Sequence, residues 1–468
     1  MQRVLKLASA VFLFLAGAAV AQTSIDVPIA EARAIASQAV LSGNPELAAQ
    51  IAERLLQVDP DDRAALIVLA AAAPMLGRPA QGRLAGARAF AMSSTDPEKY
   101  EAARLTALAA ANEGRLTLAG WWLRRALTVA PTGADAAQTV ADAQGLRNLN
   151  PWSSSVALTF APSGNVNGGG RNEFNGIDGE TVSERIAPGD RALSGWAGTI
   201  DLSTRYRLAA TQFYQTSLSA RAYARGVLLS DEALAFIARE STFNDPAVDN
   251  SDYASALFEL GLRHDRLATA GTYGFGLDLG RAYSKAEFDY SFLRLSADRR
   301  FVLSQSAEVS LTGSLEQRWD EDDDPLESRY NLQGRWSYGL AGGDVVTASL
   351  SYGGIETDRR NTASTSSSLQ FGYRLGQAIG PAQVAFSLGV QQQTFPVFYS
   401  FSFQSGFFAI DGGRGDIRVF GSVDLYFPDY DYAGFAPVVT LNAGRTDSNV
   451  GRFDREDMSV TFAIRSTF

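Results

Sequence analysis

There is no cysteine in the 468 residues and only one histidine, His264. Without thiols there is no disulfide, no thiolate chemistry and no lipidated N-terminal cysteine on the mature chain. The lone His264 sits beside Asp265, where a strand is expected to end on the periplasmic side. No nucleophile, general base and orienting acid can be gathered there at an outer rim. Zinc-ligand spacing, a phosphate loop and a serine elbow are missing as well, so no catalytic residue, metal or cofactor is assigned and no enzyme is expected. Positive charge is short: 41 Lys and Arg against 51 Asp and Glu leave a net charge of -10. Nucleic acid is thereby excluded as a partner, because phosphate neutralisation needs a basic surface. Long apolar runs are missing too, with mean hydropathy at -0.07. A helical membrane protein would carry stretches of roughly 18 or more apolar residues.

Only the N-terminus approaches such a run. Arg3 and Lys6 precede a short apolar centre, Val11–Leu15, and Ala19-Val20-Ala21 stands before Gln22. Small residues at Ala19 and Ala21 form a cleavage site, so residues 1–21 read as an export signal rather than an anchor.

Residues 22–148 read as helical, rich in alanine and punctuated by turn residues. Asp61 or Asp62 is placed to cap a helix at Arg63, and Asp96 to cap one with Pro97 in its first turn. Pro60, Pro97 and Pro131 lie 37 and 34 residues apart. That is close to the period of tetratricopeptide repeats, whose helix pairs stack into a solenoid; an irregular helical bundle is the plainer alternative. The pair Trp121 and Trp122 reads as packing within one such helix.

At Asn150-Pro151-Trp152 the period changes from 3.6 to 2, and residues 149–468 read as strands. A strand sends alternate side chains to opposite faces. Val156, Leu158 and Phe160 share a face in the first; Val460, Phe462, Ile464 and Phe468 share one in the last. About fourteen such segments follow one another. Links after even-numbered strands are short and most links after odd-numbered strands are long, with Ser284-Lys285 the tight exception. Amphipathic strands with that asymmetry are the mark of a closed antiparallel outer-membrane barrel with lipid outside and water inside. A soluble sandwich would alternate too, without the export signal and the loop parity. The wet face is expected to hold Arg205, Arg207, Glu259, Arg263, Asp278, Arg281, Glu316, Arg318, Arg335, Arg374 and Asp424. The run Asp320–Asp324 reads as a solvated acidic loop, or as oxygen ligands for Ca²⁺. Membrane lipid and the barrel-assembly machinery are the partners this architecture requires.

The order of signal, helices and C-terminal barrel resembles the Slam family, the surface lipoprotein assembly modulators. The residues carrying the likeness are Asn150-Pro151-Trp152 and the segment Pro162-Ser163-Gly164-Asn165-Val166-Asn167. This segment is similar to the Asp-Ser-Asn-Ile-Asn type motif that opens the family's barrel; Gly164 before Asn165, and Val166 for Ile, depart from it. The resemblance implies tetratricopeptide-like helices in the periplasm, a barrel of about fourteen strands, and export or surface display of a client protein. The client would be a surface lipoprotein or a secreted ligand-binding protein. The helical part is shorter than in the founding members. A polysaccharide exporter with a helical-repeat scaffold and a general diffusion porin are the other functions open to this architecture.

Overall fold

The computed structural model describes residues 27–322, 324–402 and 406–466. The cleavage residues Ala19, Ala21 and Gln22, and the terminal Phe468, lie outside the described residues. The chain divides into two compact units, one ending at Glu113 and the other beginning at Gly114.

The first unit is helical: α1 (Ile29–Leu41), α2 (Pro45–Val58), α3 (Arg63–Met75), α4 (Pro79–Met92) and α5 (Asp96–Asn112). Side chains close the starts of α2, α3 and α5, through Asn44, Asp62 and Thr95. The carboxylate of Asp62, not Asp61, accepts from the Ala65 amide at 3.1 Å. At α5 the cap is Thr95, in a capping box with Glu98, and Asp96 is the first helical residue. The shift follows from chemistry, since Glu98 three residues on completes a reciprocal pair with Thr95 that Asp96 could not make. Each helix packs on the next, and α3 also touches α1 and α5. The core is largely alanine: Ala36, Ala48, Ala52, Ala72, Ala89, Ala102 and Ala110 are fully buried. Small residues let the axes approach closely. A Cβ on Gly86 would lie 2.3 Å from the hydroxyl of Thr106, so α4 and α5 meet where no side chain intervenes.

The second unit opens with α6 (Leu116–Leu127) and α7 (Gly133–Leu149), which pack on each other. Fourteen strands close a barrel. They are β1 (Trp152–Ser163), β2 (Gly195–Ala210), β3 (Tyr214–Leu229), β4 (Ser255–Ala268) and β5 (Gly271–Ser284). Next come β6 (Glu287–Val302), β7 (Ala307–Trp319), β8 (Pro325–Gly339), β9 (Val345–Glu356) and β10 (Ser364–Arg374). β11 (Gln383–Phe395), β12 (Arg414–Tyr426), β13 (Phe435–Ser448) and β14 (Arg455–Ser466) complete it. Each strand is antiparallel to the next, and β1 returns to pair with β14.

Register fixes the two faces. Phe160 pairs with Phe462, Val156 with Leu202, Leu260 with Leu279 and Phe371 with Leu388, all pointing outward. Leu260 at 65% and Leu315 at 62% exposure would be untenable in water. A continuous belt of this kind belongs in hydrocarbon, where only a structure with its backbone bonds satisfied internally can span. Arg281 departs from its expected place. Alternation keeps it in step with Tyr273, Phe275, Leu277 and Leu279 on the outer face, where its guanidinium lies 5.7 Å from the Phe288 ring centre. The long stem and aromatic neighbour allow a charge there, near the strand end.

One rim carries short turns, such as Thr211–Phe213 and Leu303–Ser306. The other carries the long links 164–194, 230–254 and 396–413. On that long-loop rim the link is tight, as read, but lies one residue later than Ser284-Lys285: it is Lys285-Ala286, both with positive φ (53° and 63°). The long loops hold structure that strand alternation does not reveal: helix α8 (Asp231–Glu240), capped by Ser230, and two hairpins, Phe174–Ile177 with Glu180–Arg185 and Tyr399–Ser402 with Gly406–Ala409.

Candidate functional site

The lumen wall is chemically uneven around the barrel. From β2 to β8 its inward side chains form a ladder of ion pairs. Arg221 meets Asp201 at 2.6 Å; Arg294 joins Glu259 (3.0 Å) to Glu316 (2.8 Å). Arg318 continues to Glu316 (2.6 Å) and Glu327 (3.0 Å), and Arg329 closes on Glu327 at 2.6 Å. Lower down, Arg263 holds both Asp265 and Asp298 at 2.7 Å. Over β9 to β11 the wall is mostly neutral, and on β12 and β14 charge returns, with Arg418 paired to Asp457 at 3.3 Å. Ser351 bonds Ser368 at 2.7 Å, Ser387 bonds Ser422 at 2.9 Å, and Gln370, Gln391, Gln393 and Asn442 fill the same face. Thr440 donates to Asp424 at 2.6 Å. Arg205, Arg335 and Arg374, expected on the wet face, are there; none has a carboxylate within ion-pair distance among the described residues. Arg335 and Arg374 line a cavity of about 440 Å³ with Ser337, Thr347, Ser349 and Gln370. Arg207 turns away from the bore to donate to the carbonyls of Asn148 and Leu149 at 3.0 Å.

The long loops pack on one another into a layer at their rim, called the roof. Asn165 and Asn167, the motif residues, are its pins. Asn167 donates to the carbonyls of Gly189 (2.9 Å) and Arg191 (2.7 Å) and accepts from the Leu193 amide (3.0 Å). Asn165 accepts from the Gly169 amide at 2.8 Å and reaches Asp457 of β14 at 3.4 Å. Pro162 and Ser163 end β1 just below, and the Ser163 hydroxyl accepts from the Asn165 amide at 3.1 Å. Val166 is buried with Leu193, Val227 and Leu229, and Arg225 rises from the lumen to donate to its carbonyl. A second apolar knot joins Phe395, Phe398, Ile410 and Val450, with Arg414 flat over Phe453 and Phe395 and paired to Asp416. Leu193 at 1% and Val450 at 0% exposure mark these as packed cores. Asn175, fully buried, accepts from the Arg452 amide at 3.1 Å. Tyr253 donates to the Gly189 carbonyl at 2.8 Å, and burial pushes its phenol up to about 12.

The roof also staples the chain's first and last strands. Arg171 pairs with Glu456 at 2.8 Å and Asn172 donates to the Gly451 carbonyl at 2.8 Å. Below that staple the closing seam shows few pairs among the described residues. β1 pairs β14 at Thr159↔Ala463, Phe160↔Phe462 and Ser163↔Ser459, whereas β1 and β2 are paired without a break from Trp152↔Tyr206 to Ser163↔Gly195. Val460, Phe462 and Ile464 face outward beside the seam. An apolar groove of about 820 Å³ crosses it on the lipid side, lined by Leu158, Phe160, Ile200, Pro437, Phe462 and Ile464. Two anchors stand at its short-turn end. Arg124 of α6, its guanidinium pKa pushed down by burial, donates to Ala433, Gly434 and the Ser466 hydroxyl (2.9, 3.2 and 3.0 Å). Across the seam, Arg207 of β2 holds the end of α7.

The other candidates have local explanations. His264 faces outward, bonded to the Thr216 hydroxyl at 2.8 Å and stacked on Tyr214. One carboxylate oxygen of Asp320 accepts from the amides of Asp322 (3.1 Å) and Asp324 (2.9 Å), so it shapes the acidic turn; Asp323 lies outside the described residues. Trp122 is buried and Trp121 half exposed, with Arg125 over both rings.

No protein-family model matches the chain, and no curated protein matches it in sequence. Among solved structures, a bacterial polysaccharide outer membrane secretin is similar at 11% identity, covering 67% of this chain and 98% of its own, with a TM-score of 0.32. OccAB3 of Acinetobacter baumannii is 10% identical over 66% of this chain and 98% of its own, with a TM-score of 0.34. The TodX monoaromatic hydrocarbon channel, as a deltaS2 mutant, is 8% identical over 68% and 91%, with a TM-score of 0.36.

Proposed function

We propose that this protein is an outer-membrane translocator of the Slam type, assisting the export or surface display of a client protein. The short-turn rim then faces the periplasm, where the helices meet the client, and the long-loop rim faces outward. The observation that carries this reading is the roof. A diffusion pore needs a steadily open bore, and here Asn165, Asn167 and two apolar knots brace the long loops into a packed layer at the outer mouth. Packed, braced outer loops suit a path that opens only while a client engages it. A second reading, export of a hydrophilic polysaccharide, is favoured by the neutral hydroxyl and amide stretch of the lumen wall on β9 to β11. Deleting the protein decides between them. A particular surface protein stranded in the periplasm supports the first reading, and unchanged display of every surface protein with loss of an exported glycan supports the second. Large, steady single-channel conductance from the purified chain would return it to the porins.

A further inference from the structure

Along the ladder from β2 to β8 each guanidinium is answered by a carboxylate, as Arg221, Arg294, Arg318 and Arg329 are. Arg335 on β8 and Arg374 on β10 are not. Both are exposed on the inward face, and among the described residues neither has a carboxylate, a hydrogen-bond acceptor or an aromatic ring as partner. The wall between them is made of further uncommitted donors. Ser337, Thr347, Ser349 and Gln370 make no side-chain hydrogen bond among the described residues, although Ser351 and Ser368, one inward position nearer the long-loop rim, bond each other at 2.7 Å. Register explains why these groups meet. Arg335 stands opposite Ser349 and Ser349 opposite Gln370, Ser337 opposite Thr347 and Thr347 opposite Gly372, and Val345 opposite Arg374. The two guanidiniums thus occupy diagonal corners of one patch on three adjacent strands. Gly372 keeps the patch hollow, since a Cβ there would lie 2.5 Å from the Thr347 hydroxyl. The result is the cavity of about 440 Å³, which no carboxylate lines. Carboxylates on the flanking elements are already held. Glu308, opposite Ser337, pairs with Arg300, and Asp424, opposite Ala385, accepts from Thr440 at 2.6 Å. Asp344 in the β8–β9 turn accepts from the Tyr373 hydroxyl and the Gly376 amide, both at 2.6 Å.

We propose that this cavity is a binding site for an oxyanion, a carboxylate or phosphate, carried on a hydroxyl-rich body. It depends on neither reading of the protein's function given above. A guanidinium presents parallel N–H donors that match two oxygens of such a group, and two of them face one cavity here. A volume of about 440 Å³ is far more than the oxyanion alone fills. The rest of the lining is hydroxyls and an amide, so the remainder of the ligand is uncharged and trades hydrogen bonds with Ser337, Thr347, Ser349 and Gln370. Exposure of both arginines to the water of the bore keeps the attraction modest and the ligand exchangeable. The site is therefore a station on the lumen wall near the short-turn rim, where Arg374 ends β10.

The test uses the full mature chain refolded in an uncharged detergent, with inorganic phosphate as the first probe at constant ionic strength. The unaltered chain is expected to broaden the phosphorus NMR line of phosphate. Arg335→Gln/Arg374→Gln, shown to be folded by its far-UV spectrum, is expected to weaken that binding by roughly tenfold or more, as loss of charge-assisted bonds should. Arg205→Gln removes another unpaired lumen cation, on β2, and is expected to leave phosphate binding unchanged. Competition then reads the body of the ligand. Gluconate should displace phosphate at a concentration about fivefold lower than hexanoate, which carries the same carboxylate on an apolar chain; one net hydrogen bond accounts for that factor. No broadening by the unaltered chain, or binding kept in Arg335→Gln/Arg374→Gln, would overturn the proposal. Equal losses in that variant and in Arg205→Gln would overturn it too, in favour of a diffuse positive field along the bore. Hexanoate competing as well as gluconate would remove the hydroxyl-rich body and with it the proposal as stated. None of these readouts measures export, so the translocator reading stands or falls separately, by surface display.

Discussion

The perturbation that most directly tests the roof is Asn167→Ala. The side chain makes three good hydrogen bonds, to the carbonyls of Gly189 and Arg191 and from the amide of Leu193, at 2.9, 2.7 and 3.0 Å. A net value of roughly 1 kcal/mol for each such bond gives about 3 kcal/mol for the set. All of it falls on one loop, and no barrel strand loses a ladder bond. If the roof opens as a unit, about 3 kcal/mol raises its open population by roughly 100-fold. Two measurements follow. Single-channel recordings should change from rare, brief openings to frequent long ones, and limited proteolysis within 171–185 should accelerate by a similar factor. The barrel's resistance to heat in detergent should stay put. Asn167→Asp keeps the acceptor for Leu193 but loses both donors, and should fall between wild type and alanine. If Asn167→Ala leaves conductance and proteolysis unchanged, the asparagine does not hold the roof and the gating argument fails.

Other expectations are independent of that one. Arg318→Leu strips Glu316 and Glu327, both largely buried, of their shared partner; a loss of about 1–3 kcal/mol should appear as a lower urea midpoint for the barrel. Lys285 and Ala286 both hold positive φ without being glycine, so Ala286→Gly should raise barrel stability by about 1 kcal/mol, read from the same urea curve. In the helical unit, Gly86→Val would drive a side chain into Thr106 and should cost about 1–3 kcal/mol in helix melting while leaving the barrel transition untouched. The raised phenol of Tyr253 means that the closed roof prefers the neutral form. Its contribution is whole below pH 10.0 and fades as pH climbs through about 12, so alkali should open the roof and Tyr253→Phe should flatten that response in conductance.

Much of the barrel was legible in the sequence for a simple reason. Lipid outside and water inside impose the same two-residue period on every strand, and Ala307–Trp319 can be read to the residue from it. Arg281 was misplaced because its charge was given more weight than its parity, although four apolar neighbours at the same spacing pointed outward. The roof was illegible because its order comes from residues far apart in the chain. Nothing near Asn175 announces that its partner is the amide of Arg452. Asn165 and Asn167 were singled out by resemblance alone; the loop-bracing bonds they make could not be read from the sequence. The few seam pairs among the described residues left no trace either, since β1 and β14 alternate like their neighbours. A hint lay in Pro162, a residue that cannot donate within a ladder. Helix α8 could have been found from Ser230-Asp231-Glu232, a good cap with acidic residues in the first turn.

The staple between residues near 170 and those near 455 has a bearing on biogenesis. Its two halves are separated by almost the whole barrel, so it can form only after the final strand has arrived. Until then the vessel has no lid, and a half-inserted molecule would be an open hole in the envelope. The lid's arrival is therefore also a completion signal: a cell that tolerates this protein must finish winding it before leakage matters. Mutants slow in that last step should betray themselves by antibiotic sensitivity.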